Sequence, residues 1–300
     1  MTLRIGFIGA GLMGAGMARN IVTKGYPLGI LGHRRREAVE RLVALGAVEA
    51  KSPAELAKGS DVVVLCLPSS AEVEAVVFGD QGLLAGAHEG LIVVDSTTAD
   101  PSSTERVAAA LAERGVRFAD APLTRSPPDA EAGRLNTLVG GEDSVVAAIR
   151  PVLETFSENI FHIGPLGSAH KMKLINNFMT QGMAALIAEA CVTATKAGVD
   201  LEKLFEVGKA GAANSSVFQR MMPWVLGHSE GGMLFQLKNS RKDVRYYTHL
   251  AEAVGVASFL GEAVHQTFVL ATLQGEGENY VPAVARGLAK AQGVELGPKS

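Results

Sequence analysis

The stretch of sequence that decides the fold is residues 3–14, which read LRIGFIGAGLMG. The apolar run at 3–8 predicts a buried β-strand, and a helix is predicted directly after it over 13–24. Three glycines between them follow the pattern G-x-G-x-x-G, in which the backbone turns tightly and approaches a pyrophosphate. The N–H groups at the start of the helix then face the anion. The pattern predicts a dinucleotide-binding loop of Gly9, Ala10, Gly11, Leu12, Met13 and Gly14.

Short apolar runs alternate with helical patterns through the first 165 residues. Strands are predicted at 3–8, 27–31, 62–67, 91–94 and 117–120, with helices at 13–24, 36–45 and 103–114. This alternation is typical of parallel βαβ units in a doubly wound sheet. After 167 only helices are predicted, at 169–197, 200–210, 214–221, 240–253, 258–273 and 281–291. We therefore predict an α/β Rossmann domain at 1–165 and an all-α domain at 166–300.

Composition excludes several classes of protein. The 300 residues are 47% hydrophobic and 20% charged, which is typical of a globular chain and not of a disordered one. A net charge of −3 argues against nucleic-acid partners and polybasic membrane anchors. The two cysteines, Cys66 and Cys191, are too few for a disulfide framework and do not form a metal motif. Because glycines interrupt the first 19 residues and no apolar run reaches about 18 residues, we expect a cytoplasmic protein without a membrane span or a metal.

The tip of the second predicted strand bears on the choice between NAD and NADP. An acidic residue there binds the ribose 2′-hydroxyl of NAD, but this chain has no acid before Glu37. Arginine instead forms forked, charge-assisted hydrogen bonds with phosphate. We expect NADP rather than NAD, with its 2′-phosphate bound by His33, Arg34 and Arg35, and Arg36 as a solvated helix start.

Several motifs together resemble the β-hydroxyacid dehydrogenases, a family that includes 3-hydroxyisobutyrate dehydrogenase and tartronate semialdehyde reductase. In chain order they are the nucleotide signature at 6–20, cofactor loops at Leu67-Pro68 and 95–98, a substrate stretch at 120–141, a catalytic helix at 167–177 and Lys242-Asp243, where Val244 replaces a family leucine. The resemblance implies a homodimer or homotetramer that oxidises a small 3-hydroxy acid or reduces the matching aldehyde acid between its two domains. It also implies that Leu67, Pro68, Thr98 and Lys242 contact the cofactor and that Asp243 holds Lys242.

A lysine is the expected proton donor. Hydride transfer to a carbonyl requires a proton at its oxygen, and the sequence contains no metal cluster or Tyr-x-x-x-Lys motif. Lys171 and Lys173 lie about 200° apart around a helix, so only one of them faces a given site. Lys173 shares a face with Asn177, and the family places its lysine three residues before its asparagine pair. We therefore expect Lys173 to be the general acid and base, Asn177 to hold its head group and touch the substrate, and Asn176 to be a second substrate contact.

The substrate stretch departs from the family pattern. Where the family has Ser-Gly-Gly, this chain has Thr124, Arg125 and Ser126, which we expect to bind the substrate. An added guanidinium favours a strong anion such as a sulfonate, a phosphonate or a second carboxylate, and a similar arginine-bearing loop occurs in 3-sulfolactaldehyde reductase. The alternative is that Arg125 points to solvent or pairs with Asp129 or Glu131.

Two other functions are compatible with this architecture. Imine reductases share it but generally lack a lysine at the position of Lys173. A non-catalytic NADP-sensing protein would ordinarily have replaced that lysine. The presence of Lys173 therefore favours a hydroxyacid dehydrogenase.

Overall fold

The computed structural model describes residues 2–32, 36–229 and 232–296. The chain forms two compact units, Met1–Lys173 and Leu174–Ser300. The sequence-based boundary at 165 precedes helix α9, Ser168–Lys196. In the structure, the first turn of this helix belongs to the first unit. Gly167 and His170 explain the difference, because their N–H groups bind a residue of the sheet, as described below.

The first unit is built on one sheet. The described residues form nine strands: β1 Ile5–Ile8, β2 Leu28–Leu31, β3 Val48–Ala50, β4 Val62–Leu65, β5 Ile92–Asp95, β6 Arg117–Asp120, β7 Leu123–Thr124, β8 Leu135–Gly140 and β9 Ser157–Gly164. Their order is β3-β2-β1-β4-β5-β6-β8-β7, with β9 also paired to β8. Strands β1 to β6 are all parallel, which confirms the predicted Rossmann sheet.

One edge of this sheet differs from the prediction of parallel strands alone. Strand β8 runs antiparallel to both β6 and β7, while β9 is parallel to β8. The short strand β7 and the following helix reverse the chain within a few residues, so no crossover helix separates β6 from β8 in the usual way. The region from 121 to 164 carries no clear period-2 pattern, and its strands were not predicted.

Helices cover both faces of the sheet. In the first unit they are α1 Gly14–Thr23, α2 Arg36–Ala44, α3 Pro53–Gly59, α4 Ser70–Phe78, α5 Leu83–Gly86, α6 Pro101–Ala112, α7 Pro127–Glu131 and α8 Asp143–Leu153. Side chains alternate between two cores along each central strand: Val62 and Val64 of β4 pack on one face, and Val63 and Leu65 pack on the other. Because both faces are buried, the central strands are continuous apolar runs.

The second unit is helical, as predicted. Helix α9, Ser168–Lys196, begins in the first unit and continues into the second, which also contains α10 Leu201–Ala210, α11 Ser216–Val225, α12 Leu237–Ala253, α13 Phe259–Ala271 and α14 Ala283–Ala291. Its core joins Cys191 of α9, Met221 of α11, Val244 of α12 and Phe268 of α13. None of the helices in the described ranges is long and apolar enough to cross a membrane.

Candidate active site

The glycine-rich loop joins β1 directly to α1. Gly9 has a φ of +110°, and a Cβ there would lie 2.2 Å from the carbonyl oxygen of Cys66. A Cβ on Gly14 would lie 2.0 Å from the carbonyl oxygen of Gly9. A Cβ on Gly11, by contrast, would meet no described atom within 4 Å. The loop needs glycine at 9 and 14 for its own backbone, while the space over Gly11 is open to a ligand.

Helix α1 starts at this loop without a side-chain cap from the described residues. Three other helices of the unit are capped by side chains that accept backbone N–H bonds: α3 by Ser52, α4 by Ser69 and α6 by Asp100. The first N–H groups of a helix require acceptors and attract anions. The loop at 9–14 therefore fits the pyrophosphate of a dinucleotide, which would take the place of the missing cap.

Two more loops lie beside the glycine-rich loop, at the carboxyl ends of the parallel strands. Because β1, β4 and β5 are parallel neighbours in register, the residues that follow them emerge side by side. Leu67 and Pro68 follow β4, and the N–H of Leu67 donates to Oγ1 of Thr97, 3.0 Å away. Thr98 follows β5 and is half-buried. The sheet thus brings these three predicted cofactor residues to the edge where open α/β sheets bind ligands.

The predicted phosphate-binding residues His33, Arg34 and Arg35 lie outside the described residues. The neighbouring Arg36 is described, and its guanidinium binds the carboxylate of Glu49 through bonds of 2.6 and 2.9 Å. Hydrogen bonds from Arg36 lower the pKa of Glu49. Arg36 is therefore an ion-pair partner of β3 rather than only a solvated helix start.

The substrate stretch forms an ordered turn. Oγ1 of Thr124 accepts a hydrogen bond of 3.2 Å from the amide of Asn136. Ser126 is the N-cap of α7. Both its N–H and its hydroxyl donate to the carboxylate of Asp129. Hydrogen bonds from Ser126 lower the pKa of Asp129, so this carboxylate is engaged by its own helix cap.

Arg125 adopts an unusual backbone conformation in this turn. Its φ is +81°, and no other non-glycine residue of the described ranges has a positive φ. The guanidinium donates to the carboxylate of Glu158 and to the carbonyl oxygen of Arg134. The sequence-based alternative, a pair with Asp129 or Glu131, is therefore not the arrangement in the structure, because β9 brings Glu158 next to the turn.

Asp120 caps helix α9 from the end of strand β6. Its Oδ1 accepts the N–H of Gly167, and its Oδ2 accepts the N–H of His170, both at 2.7 Å. In a capping box, the side chain of the N-cap residue accepts the N–H of the third helical residue, and the side chain of that third residue accepts the N–H of the N-cap. In α9 these two positions are Gly167 and His170. Gly167 has no side chain, so the buried Asp120 makes both of them. Lys173 follows His170 by three residues on the same helix and is half-buried.

His170 belongs to a buried polar cluster around this cap. Its Nδ1 lies 2.7 Å from Oγ1 of Thr104, and its Nε2 lies 4.0 Å from Oδ2 of Asp95. Burial raises the pKa of Asp95, and this effect is opposed by His170 and by hydrogen bonds from Thr97. These contacts hold His170 on the sheet side of the helix. This position agrees with the choice of a lysine, rather than His170, as proton donor.

The second unit contains its own polar chain. The amide of Asn177 donates to Oδ2 of Asp243 at 2.6 Å, and Nζ of Lys242 lies 3.0 Å from Oδ1 of the same carboxylate. Asp243 and Asn177 are buried, while Asn176 is half-buried. This bond uses the amide nitrogen of Asn177, and the expectation that Asn177 holds the head group of Lys173 stays a prediction. Across the described residues, no group of three or more His, Cys, Asp or Glu side chains is arranged to hold a metal ion.

Comparisons with known proteins match both halves of the chain. Residues 4–164 match the family model described as the NAD-binding domain of 6-phosphogluconate dehydrogenase, and residues 167–288 match that of NADP-dependent 3-hydroxyisobutyrate dehydrogenase. The chain belongs to the β-hydroxyacid dehydrogenase family. It is therefore an oxidoreductase of the NAD(P)-dependent hydroxyacid dehydrogenase class.

Individual relatives align with nearly the whole length of this β-hydroxyacid dehydrogenase. NAD-dependent L-serine dehydrogenase of Pseudomonas aeruginosa is 32% identical, over 97% of this chain and 99% of the relative. 3-Sulfolactaldehyde reductase of Escherichia coli is 30% identical over 91% of each chain. The structure of Mycobacterium tuberculosis 3-hydroxyisobutyrate dehydrogenase with L-serine matches at a TM-score of 0.84 and 27% identity, covering 96% of this chain and 99% of that one.

Sequence reasoning missed two contributions to this dehydrogenase site. Asp120 was noted only as part of a family motif, and its bonds to α9 depend on a contact between residues 47 and 50 positions apart. One signal was available, because Gly167 precedes a long helix and has no side chain to cap it. Asp243 was expected to hold Lys242, but its bond to Asn177 was not foreseen.

Replacing Asp120 by alanine tests the cap. The variant leaves two buried N–H groups without an acceptor, at about 1–3 kcal/mol each, so we expect the free energy of unfolding to fall by about 2–6 kcal/mol. Urea titration followed by far-ultraviolet circular dichroism measures the change. The exposed Asp80 provides the control, since Asp80→Ala should stay within about 0.5 kcal/mol of the wild type. Equal midpoints for the two variants would contradict the cap.

Proposed function

We propose that this dehydrogenase interconverts a small 3-hydroxy acid and its aldehyde or keto acid with NADP, using Lys173 as general acid and base. The observation that carries the proposal is the position of Lys173, one turn into a helix whose start is fixed by Asp120 on the sheet that carries the glycine-rich loop. Lys173 and that loop belong to the same compact unit. A lysine in the same unit as a dinucleotide site can supply the proton that hydride transfer to a carbonyl requires.

The bound nicotinamide would supply or accept the hydride. In the reducing direction the ammonium group of Lys173 donates a proton to the carbonyl oxygen, and in the oxidising direction the amine takes the proton from the hydroxyl. The backbone N–H groups of Ala10, Leu12 and Met13 would hold the pyrophosphate, while that of Gly11 donates to the carbonyl oxygen of Gly9. Thr124, Ser126 and Asn176 are proposed substrate contacts. Asn177 is proposed to hold the head group of Lys173 and to touch the substrate, while its amide nitrogen donates to Asp243, which also contacts Lys242.

Substitution of Lys173 tests its catalytic role against a matched control. We expect Lys173→Ala to lower kcat by about 10²–10⁴-fold, the usual effect of losing a general acid, while the Kd for NADPH changes little. Lys171 lies two residues earlier on the same helix, 3.8 Å from Glu105 at the surface, and Lys171→Ala should keep a near-normal kcat. Steady-state kinetics and NADPH fluorescence titration measure these quantities. A near-normal kcat for Lys173→Ala would refute the proposed role.

The preference for NADP rests on the arginines at the tip of β2. No acidic residue lies between Gly32 and Glu37, and the matched model of the second half is described for an NADP-dependent enzyme. The Pseudomonas relative, by contrast, is described as NAD-dependent, so the tip sequence of this chain carries the argument.

Arg34→Ala tests the cofactor preference. Hydrogen bonds to charged groups contribute about 1.5–3 kcal/mol, so kcat/KM for NADPH should fall about 10–150-fold while that for NADH stays within about threefold. Arg36→Ala is the control, because Arg36 is engaged by Glu49 and should not change the ratio of the two cofactors. A wild-type preference for NADH would remove the NADP proposal.

A second candidate function is reduction of a sulfonate-bearing or similarly strong-anion aldehyde. It is favoured by Arg125, which holds a left-handed backbone conformation in the substrate stretch, where the strain is typical of functional sites. A relative described as 3-sulfolactaldehyde reductase covers 91% of the chain. To bind a substrate anion, Arg125 exchanges Glu158 for the substrate. That exchange is inexpensive, because partly exposed ion pairs contribute only about 0–1 kcal/mol.

Arg125→Gly separates the two substrate classes. Glycine is relaxed at φ +81°, so the turn should fold, while loss of the guanidinium should raise KM for 3-sulfolactaldehyde about 10-fold or more. KM for the aldehyde acid of 3-hydroxyisobutyrate should change less than about threefold. Arg134→Gln, on the same turn, is the control for a general loss of positive charge. Equal effects of Arg125→Gly on both substrates would remove this candidate.

The assembly proposed is a cytoplasmic homodimer or homotetramer. It is supported by Ile175, Met179 and Leu186 of α9, which are 43%, 59% and 70% exposed and recur at helical spacing. Such a stripe is unfavourable in water and suits burial against another copy. Sedimentation equilibrium of the purified protein tests this proposal, and a monomer at micromolar concentration would contradict it.

A further inference from the structure

The second unit has a cavity of about 350 Å³ between helices α12 and α13. It is lined by Arg241, Lys242, Arg245 and Tyr246 of α12 and by His265 and Val269 of α13. The volume falls at the lower end of the range for small-molecule sites. Four of its six lining side chains carry nitrogen groups that donate hydrogen bonds to anions.

Of the three cationic side chains that line this cavity, Lys242 and Arg245 have carboxylate partners and Arg241 has none among the described residues. Arg241 and Arg245 are one helical turn apart, where like charges destabilise a helix. Glu262 lies 3.7 Å from Arg245, but no carboxylate of the described residues lies within 4 Å of Arg241. The unmatched charge favours an anionic ligand.

His265 supplies an independent observation. Its Nδ1 is buried and has no hydrogen-bond partner among the described residues. An unsatisfied buried polar atom is unfavourable, and a ligand atom in the cavity would offset this cost. Burial lowers the pKa of His265, and Arg245, Arg241 and His249 of α12 lower it further, while Glu262 of α13 opposes them. The environment of this imidazole is therefore already electropositive before any ligand binds.

We propose that this cavity is an oxyanion-binding site for a phosphate group, held by Arg241 and Arg245 with His265 as a third donor. The neighbouring Lys242 contacts Asp243, which binds Asn177, so an occupant would lie next to the polar chain assigned to catalysis. A phosphate group suits the site because its several oxygens accept bonds from more than one cation at once. The group would come either from free phosphate or from the phosphates of the cofactor.

Titration of the full-length protein with inorganic phosphate tests the proposal. Histidine ring signals are followed by nuclear magnetic resonance in ¹⁵N-histidine-labelled protein at constant ionic strength. We expect saturable shifts of His265 and an increase in its pKa on binding. Arg241→Gln should weaken phosphate binding about tenfold or more, since a charge-assisted bond is lost. Lys238→Gln removes one charge from the same helix, at a residue paired with Glu278, and should leave the affinity within about twofold.

Additional measurements identify the source of the phosphate group and provide a second variant in case the first misfolds. If saturating NADP⁺ abolishes the response of His265 to phosphate, the cofactor supplies the group; if the response persists, free phosphate is the ligand. Arg245→Gln gives a second variant should Arg241→Gln fail to fold, as judged by circular dichroism. Lys173→Ala should bind phosphate like the wild type, which keeps this test independent of the catalytic proposal. A linear, unsaturated response that is equal in Arg241→Gln and Lys238→Gln overturns the site.

Discussion

The bond pair between Asp120 and the start of α9 is the interaction on which the arrangement of the site depends. A helix presents N–H groups at its first turn that must find acceptors, and Gly167 supplies none from its own side chain. Asp120 accepts two of them with its two oxygens, at 2.7 Å each. Since Asp120 ends strand β6, the helix that carries Lys173 starts at a position fixed by the sheet. The negative carboxylate also lies at the positive end of the helix dipole, which stabilises both.

Burial gives this contact its importance. Asp120 and His170 are fully buried, and Asp95 is 1% exposed on the neighbouring strand. Buried polar groups are costly when they lose their partners, so the bonds from Gly167 and His170 to Asp120 restrict the position of α9. Gly140 contributes to the same constraint, because a Cβ there would lie 2.4 Å from Oδ1 of Asp120. The glycine at position 140 is therefore explained by space for a carboxylate rather than by flexibility.

The sequence predicted those features that follow from local periodicity. The strands at the centre of the sheet and the helices of the second unit have strong apolar patterns, and each appears within a few residues of its expected bounds. The antiparallel edge around β7 and β8 and the partners of Arg125 were beyond this reasoning, because they depend on contacts between distant residues. Glu158 is 33 residues from Arg125 in the chain, while the nearer Asp129 is occupied by Ser126. Sequence reasoning offered a pair with Asp129 or Glu131 only as the alternative to substrate binding, and local spacing could not single out Glu158.

The arginines of this chain differ in how fully their charge is matched, and this difference bears on function. Arg36 is held by Glu49 through bonds of 2.6 and 2.9 Å, so its charge is matched by a carboxylate. Arg125 is paired with the half-exposed Glu158, so its guanidinium can exchange one anion for another at small expense. Arg241 has no carboxylate within 4 Å in the described part of the chain and lines a cavity. A net charge of −3 conceals this gradation, because the sum counts charges and not their partners. Anion binding is therefore expected where the protein itself leaves a cation incompletely neutralised.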